Sequence, residues 1–187
     1  VDSDLEGVVK CFYRSPGCTD ENAFWLLVSL IEDILPKGFI GEGKEAVMPE
    51  VQIFKACFKF ALPKLAEAIR ELDSPIEAWL ANWIVPLFKG YLSDTLVDRV
   101  FDGLFLDGST ILLRTALGIL SLREDNLLKN CTNSTLMLYR LSDLPSSFQE
   151  SEFEEVYKVK FPPIEKINQM RETLKGNPQA DISLTPP

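Results

Sequence analysis

The chain has 187 residues, 46% of them apolar, which is enough for one sizeable core and hardly enough for two. Its formal net charge of −9 sets up a field that repels phosphate backbones, so nucleic acid is a poor partner and a basic protein surface a better one. No apolar run approaches the roughly 18 to 20 residues that cross a bilayer and no leader-like segment stands out, so a cytoplasmic protein, reaching membranes only through partners, is expected.

There is no histidine, and Cys11, Cys18, Cys57 and Cys131 are scattered without a C-x-x-C pair, which argues against a structural zinc site; no cofactor is expected. Cys57, among Phe54, Phe58 and Phe60, reads as a small core residue. A Cys11–Cys18 disulfide is within reach along the chain but unneeded in a domain of this size, so a reducing compartment is the simpler reading. The start at Val1 instead of methionine suggests a segment of a longer protein.

Residues 1–19 carry a short apolar patch, Val8, Val9, Phe12 and Tyr13, before the turn-like Ser15-Pro16-Gly17. Thr19-Asp20 caps a helix that runs through Phe24, Trp25 and Leu30 to Pro36; it is apolar around most of its circumference, so the core is its expected place. Residues 38–49 read as a loop, and Pro49 opens a second helix with Val51, Phe54, Phe58 and Leu62 on one face until Pro63 kinks or restarts it. Ser74-Pro75 announces a third, on which Trp79 and Trp83 form one aromatic ridge, with a kink at Pro86.

Residues 97–122 are the centre of the pattern: two apolar helices hinged on Asp107-Gly108-Ser109. In the second, Ile111, Leu112, Leu113, Ala116, Leu117, Ile119 and Leu120 wrap most of the way round, with Arg114 among them, so it must be covered on several sides. A buried arginine needs a partner, and Asp102 on the preceding helix is the natural one. Shorter helical pieces follow over 126–141, then a helix from Ser146 to Phe161 mixing aromatics with acids, and a last one from Pro163 through Ile167, Met170 and Leu174. The expected fold is all-α, an irregular bundle of about eight helices. Its parts are an N-terminal segment over 1–20, a helical domain over 21–145, helices packing on it over 146–175 and a disordered tail over 176–187.

The usual enzymatic routes close quickly. A hydrolytic triad has no histidine, and neither a phosphate-cradling glycine loop nor a dinucleotide fingerprint is present. Glu32-Asp33 and Glu154-Glu155 are helical neighbours that point about 100° apart and so belong to solvated surface.

Four blocks nevertheless fall in a telling order: Asn22-Ala23-Phe24-Trp25-Leu26-Leu27; Leu62-Pro63-Lys64-Leu65; Trp83-Ile84-Val85-Pro86-Leu87-Phe88; and Arg99 to Ser109 followed by Leu113-Arg114-Thr115-Ala116-Leu117. In series they resemble the second half of TBC domains, the all-helical activators of Rab GTPases, over about 21–122 and more weakly to 145. The resemblance implies a Rab-family partner and a structural framework that includes Trp25, Trp83, Asp102, Gly108 and Arg114.

Such domains supply an arginine and a glutamine finger from I-x-x-D-x-x-R and Y-x-Q motifs upstream of the Ala-Phe-Trp-Leu-Leu helix. No arginine here follows an aspartate by three, and no tyrosine precedes a glutamine by two, so no catalytic residue carries over. The expectation is therefore the C-terminal half of a GTPase-activating domain, partnered by the remaining half of its own parent. The competing expectations are a catalytically inactive TBC-like binding module and a helical-repeat scaffold, the latter without support because Trp25, Trp79 and Trp83 do not recur in register.

Overall fold

A computed structural model describes residues 3–40 and 44–184. Among them are ten α-helices and no strand: α1 (Ser3–Tyr13), α2 (Asp20–Ser29), α3 (Lys44–Ala61), α4 (Pro63–Glu71), α5 (Ile76–Ile84), α6 (Asp94–Asp107), α7 (Thr110–Asn130), α8 (Ser134–Asp143), α9 (Glu155–Lys158) and α10 (Ile164–Gly176). The all-α class expected from the sequence is the one observed.

The middle of the molecule is α7. From Thr110 to Leu120 every residue except Arg114 is buried, because α3, α4, α5, α6 and α9 all pack against it. Opposite its first turns, α6 buries Leu96, Val97, Val100, Phe101 and Leu104. The two helices approach closely where Gly103 meets Ile111, whose Cγ1 would lie 2.6 Å from a Cβ on that glycine. They are joined by Gly108, at φ 73° and ψ −170°, a backbone conformation essentially reserved for glycine. Gly108→Ala is expected to lower stability by about 1–3 kcal/mol through backbone strain alone, since no heavy atom stands within 4 Å of its Cβ position; a urea titration with unchanged slope measures it.

A second layer is aromatic. Phe54 and Phe58 of α3 stack at 5.7 Å between centroids, Phe54 meets Trp79 edge-on at 5.9 Å, and Trp79 and Trp83 of α5 lie 4.7 Å apart. All four are buried, each worth about 1.5–3 kcal/mol or more in apolar burial. Helix starts follow their sequence signals: Thr19 Oγ1 accepts from the Asn22 amide at 3.2 Å, Asn133 Oδ1 accepts from the Leu136 amide at 2.8 Å, and Pro63 opens α4.

Several boundaries differ from expectation, each for a local reason. The N-terminal patch is a full helix, α1, which lays Val8 and Phe12 on the core. The helix begun at Asp20 widens into a π-turn over Leu30–Ile34. The loop reading over 38–49 falls partly outside the described residues, but α3 has already begun at Lys44 and Pro49 lies inside it. α5 stops at Ile84, earlier than the expected kink, because Leu87 and Phe88 both take positive φ.

Further on, α7 runs through to Asn130 and so absorbs residues 126–130, which periodicity assigns to the shorter pieces over 126–141. The continuous helix expected over 146–161 is instead two short 3₁₀ turns, Leu144–Ser147 and Glu150–Glu152, and the single-turn α9. This strap lies flat on α7 at Gly118, where an added Cβ would meet the Val156 Cα at 2.9 Å. Beyond α10, Ile182 and Leu184 are half-buried against the core where composition suggested a free tail; residues 185–187 of that tail lie outside the described residues.

Candidate interaction face

One side of the molecule exposes a cluster of large apolar side chains. On α2, Phe24 and Trp25 are 57% and 60% exposed, and their rings meet edge-on at 5.2 Å. Trp25 shares a shallow depression with Asn22, Leu26, Ser29 and Phe105 of α6. An adjoining groove of about 160 Å³, lined by Phe12, Leu26, Phe101, Phe105, Asp98 and Asp102 among others, continues it toward α1. Leu106, next to Phe105, is 83% exposed.

The expectation that the whole Trp25 helix is core is thus corrected: of the residues from Asp20 to Leu35, only Ala23, Leu30 and Leu35 are buried. Periodicity shows that a helix face needs cover without showing what covers it. Contacts from α1 take one side of α2, where Leu26 and Leu27 are partly buried, and the side with Phe24 and Trp25 is open. Isolated exposed apolar residues are ordinary, but a clustered aromatic face with a groove marks an interaction surface.

Carboxylates border this face. Asp102 is exposed, and Asp98 is bridged by Arg14 of α1, whose Nε donates to Oδ1 at 2.9 Å. Asp20 and Glu21 occupy the first turn of α2, with the Tyr13 hydroxyl donating to Asp20 at 2.7 Å. The charged rim therefore favours a basic counter-surface.

Of the five framework residues read from the sequence, Trp83 is fully buried and Gly108 makes the α6–α7 turn, whereas Trp25 and Asp102 face solvent. The expected Asp102–Arg114 ion pair is not formed among the described residues. Half-buried Arg114 instead lies over the Phe161 ring at 4.7 Å from its centroid and over Tyr157 at 5.8 Å. Two aromatic faces can hold a guanidinium whose rim remains wet, so no carboxylate is needed. Burial, followed by Asp107 and Asp102 nearby, pushes the Tyr157 hydroxyl above its ordinary range. Arg114→Ala is expected to cost about 1–2 kcal/mol, the loss of a partly desolvated cation–π clamp, seen as a lower melting temperature; Arg114→Lys should recover part of it.

Sequence reasoning missed two other arginines. Arg171 of α10 grips Glu50 of α3, Nε to Oε1 at 2.7 Å and Nη2 to Oε2 at 2.9 Å. Arg123 of α7 holds Glu152 at 2.8 and 2.9 Å. A larger depression of about 570 Å³ between α3, α4 and the start of α5 has its carboxylates already engaged, Glu67 by Arg70 and Glu77 by Lys55, leaving no converging acid–base pair there. No group of three or more metal-ligating side chains converges among the described residues, and no described helix is long and apolar enough to cross a membrane.

The helices that build this face are found in known proteins. The family model described as the Rab-GTPase-TBC domain matches residues 7–128. Small G protein signaling modulator 3 of Rattus norvegicus is 29% identical over 133 residues, covering 71% of this chain and 18% of that protein. A TBC domain-containing protein of Schizosaccharomyces pombe is 30% identical over 147 residues, 78% of this chain and 19% of its own length. The crystal structure of the Chlamydomonas flagellar RabGAP TBC domain superposes with a TM-score of 0.66 at 27% identity, over 83% of this chain and 50% of that one. The chain thus spans less than a fifth of these two curated relatives and half of the solved domain. It belongs to the Rab-GTPase-TBC domain family.

Proposed function

We propose that this chain is the C-terminal half of a GTPase-activating domain for Rab-type small GTPases, and that it braces the half carrying the arginine and glutamine fingers without being catalytic itself. The observation that carries the reading is the open Trp25–Phe105 face, an apolar surface with an acidic rim on the helix that follows the finger motifs in the family pattern. The half-length match to the solved RabGAP domain supports it, as does 28% identity over 123 residues to the GTPase-activating protein gyp2 of Schizosaccharomyces pombe. Its setting on this reading is the cytoplasm, with recruitment to membranes through its partners.

Transition-state stabilisation in phosphoryl transfer needs a cation and a positioned water, and none of the motifs that provide them occurs in this sequence. Single-turnover GTP hydrolysis across a panel of GTP-loaded Rab proteins is expected to proceed at the intrinsic rate when the chain is added. Stimulation by this chain alone overturns the proposal. In the full-length parent, Trp25→Asp is expected to abolish stimulation, while in the isolated chain it leaves stability within about 0.5 kcal/mol because the ring is already exposed. The open face would equally serve a catalytically inactive binding module; Rab binding by the full-length parent without stimulation selects that reading.

A further inference from the structure

The strap over α7 contains a serine whose surroundings the GTPase reading does not use. Ser147 closes the 3₁₀ turn Leu144–Ser147 and is exposed. Its hydroxyl donates to the Leu144 carbonyl at 2.7 Å and accepts from Arg123 Nε at 3.4 Å. Arg123 Nη2 also donates to the Ser147 carbonyl at 2.9 Å. The same guanidinium makes a two-pronged pair with Glu152, and both side chains are about three-quarters shielded, at 23% and 25% exposure. Glu152 in turn accepts from the Gln149 amide at 2.9 Å, and Arg123 holds its carboxyl below the usual range.

The sequence after Ser147 is unusually acidic: Glu150 at +3, then Glu152, Glu154 and Glu155. Kinases with a basic substrate cleft read carboxylates placed in this way behind a serine. Ser147 itself stands exposed at the end of a turn only four residues long, while Pro145 and Phe148 on either side are buried.

We propose that Ser147 is a phosphorylation site for an acid-directed serine kinase, and that Arg123 is the built-in receptor for the phosphate. The γ-phosphoryl group of a nucleoside triphosphate passes to Ser147 Oγ. The hydroxyl proton leaves to the kinase base, the bond to the β-phosphate breaks, and the nucleoside diphosphate departs. The new group brings about −1.5 to −2 charges and three acceptor oxygens within reach of a guanidinium that already touches the hydroxyl.

The dianion outcompetes the Glu152 carboxylate for Arg123. The 144–147 turn is then fastened to α7, while the 150–152 turn loses the charge that holds it down. Neighbouring Ser151 is exposed as well, but it sits among Glu150, Glu152 and Glu154 with no described cation against it, so a phosphate there has nothing to bind.

The test uses the full 187-residue chain with casein kinase II and Mg-ATP, in a Ser151→Ala form and separately in a Ser147→Ala form. Mass spectrometry is expected to place one phosphate on Ser147 of the first. In ³¹P titrations its midpoint should fall about half a pH unit or more below that of phosphoserine 151 in the second, since Arg123 faces it from α7 whereas Asp143, Glu150 and Glu152 are its acidic neighbours. Arg123→Gln should raise the Ser147 midpoint toward the ordinary value of about 6. Added salt should narrow the gap between the Ser147 and Ser151 midpoints in the unsubstituted Arg123 background, so a misfolded Arg123→Gln chain does not end the test. No phosphate on Ser147, or two phosphates that titrate together, overturns the proposal.

Discussion

Arg171→Ala is expected to destabilise the chain by about 3–5 kcal/mol, the cost of removing one partner from a buried ion pair. Glu50 is 2% exposed, and Arg171 supplies the two charge-assisted bonds that satisfy its carboxylate. Truncating the arginine strands that charge under α10, beside Cys57, whose thiol burial and then the Glu50 charge push up to about 12. In a chain of 187 residues this corresponds to a fall in melting temperature of roughly 10 °C. The joint variant Glu50→Leu, Arg171→Met is expected to recover most of the loss, because no unpaired charge remains and the apolar volume is kept. A fall under about 1 kcal/mol for Arg171→Ala would mean that α10 is held by Ile167, Met170 and Leu174 alone, all of which are buried against the core.

The Glu50–Arg171 pair also marks how far sequence could see. Glu50 lies four residues before Phe54 and seven before Cys57, hence on the buried face of α3, so a pattern search for acids inside an apolar stripe finds it. Its partner stands 121 residues away, and nothing in helical periodicity links them. Arg114 shows the converse. Its burial is legible in the largely apolar run Ile111–Leu120, but the sequence offers Asp102 of the preceding helix as its partner, whereas the strap from Glu155 to Phe161 brings two aromatic rings over it. The strap reads as one helix because Phe153, Val156 and Tyr157 follow at helical steps; the Ser146 to Glu152 stretch prefers side-chain caps and short turns to a continued ladder.

The interaction face was legible in its residues and not in its exposure. Asn22 to Leu27 and Arg99 to Ser109 carried the family signal, yet an apolar helix looks the same in sequence whether its cover comes from the same chain or from elsewhere. The apolar residues around most of the circumference of α2, Phe24 and Trp25 included, point to the core. What places them outside is the shortage of neighbours: α2 packs against α1 and runs on directly into the π-turn, leaving the side with the Trp25 ring uncovered. That shortage is the physical content of the proposal that another half, or a GTPase, completes the surface.

Trp83→Ala should be the most damaging change of an aromatic residue, at about 3–5 kcal/mol, in contrast to the near-neutral substitution of exposed Trp25. Trp83 has no exposed surface and stands between Trp79 at 4.7 Å and Phe88 at 6.5 Å. Its carbonyl accepts from the Phe88 amide at 2.8 Å, closing a turn in which Leu87 and Phe88 take φ of 52° and 62°. Two successive bulky residues in the left-handed region store about 1–2 kcal/mol each, and the burial of both side chains offsets it. The Trp83 ring is part of the wall that Phe88 packs on, so its removal both opens a cavity and weakens the hold on that strained pair. Trp83→Phe should cost about half as much, since it keeps an aromatic surface and removes an indole N–H that has no protein acceptor. Hydrogen exchange distinguishes the two effects: in Trp83→Ala the Leu87 and Phe88 amides should exchange by local opening, well ahead of the α7 core. If they stay as protected as α7, the left-handed pair is held by something other than the Trp83 ring.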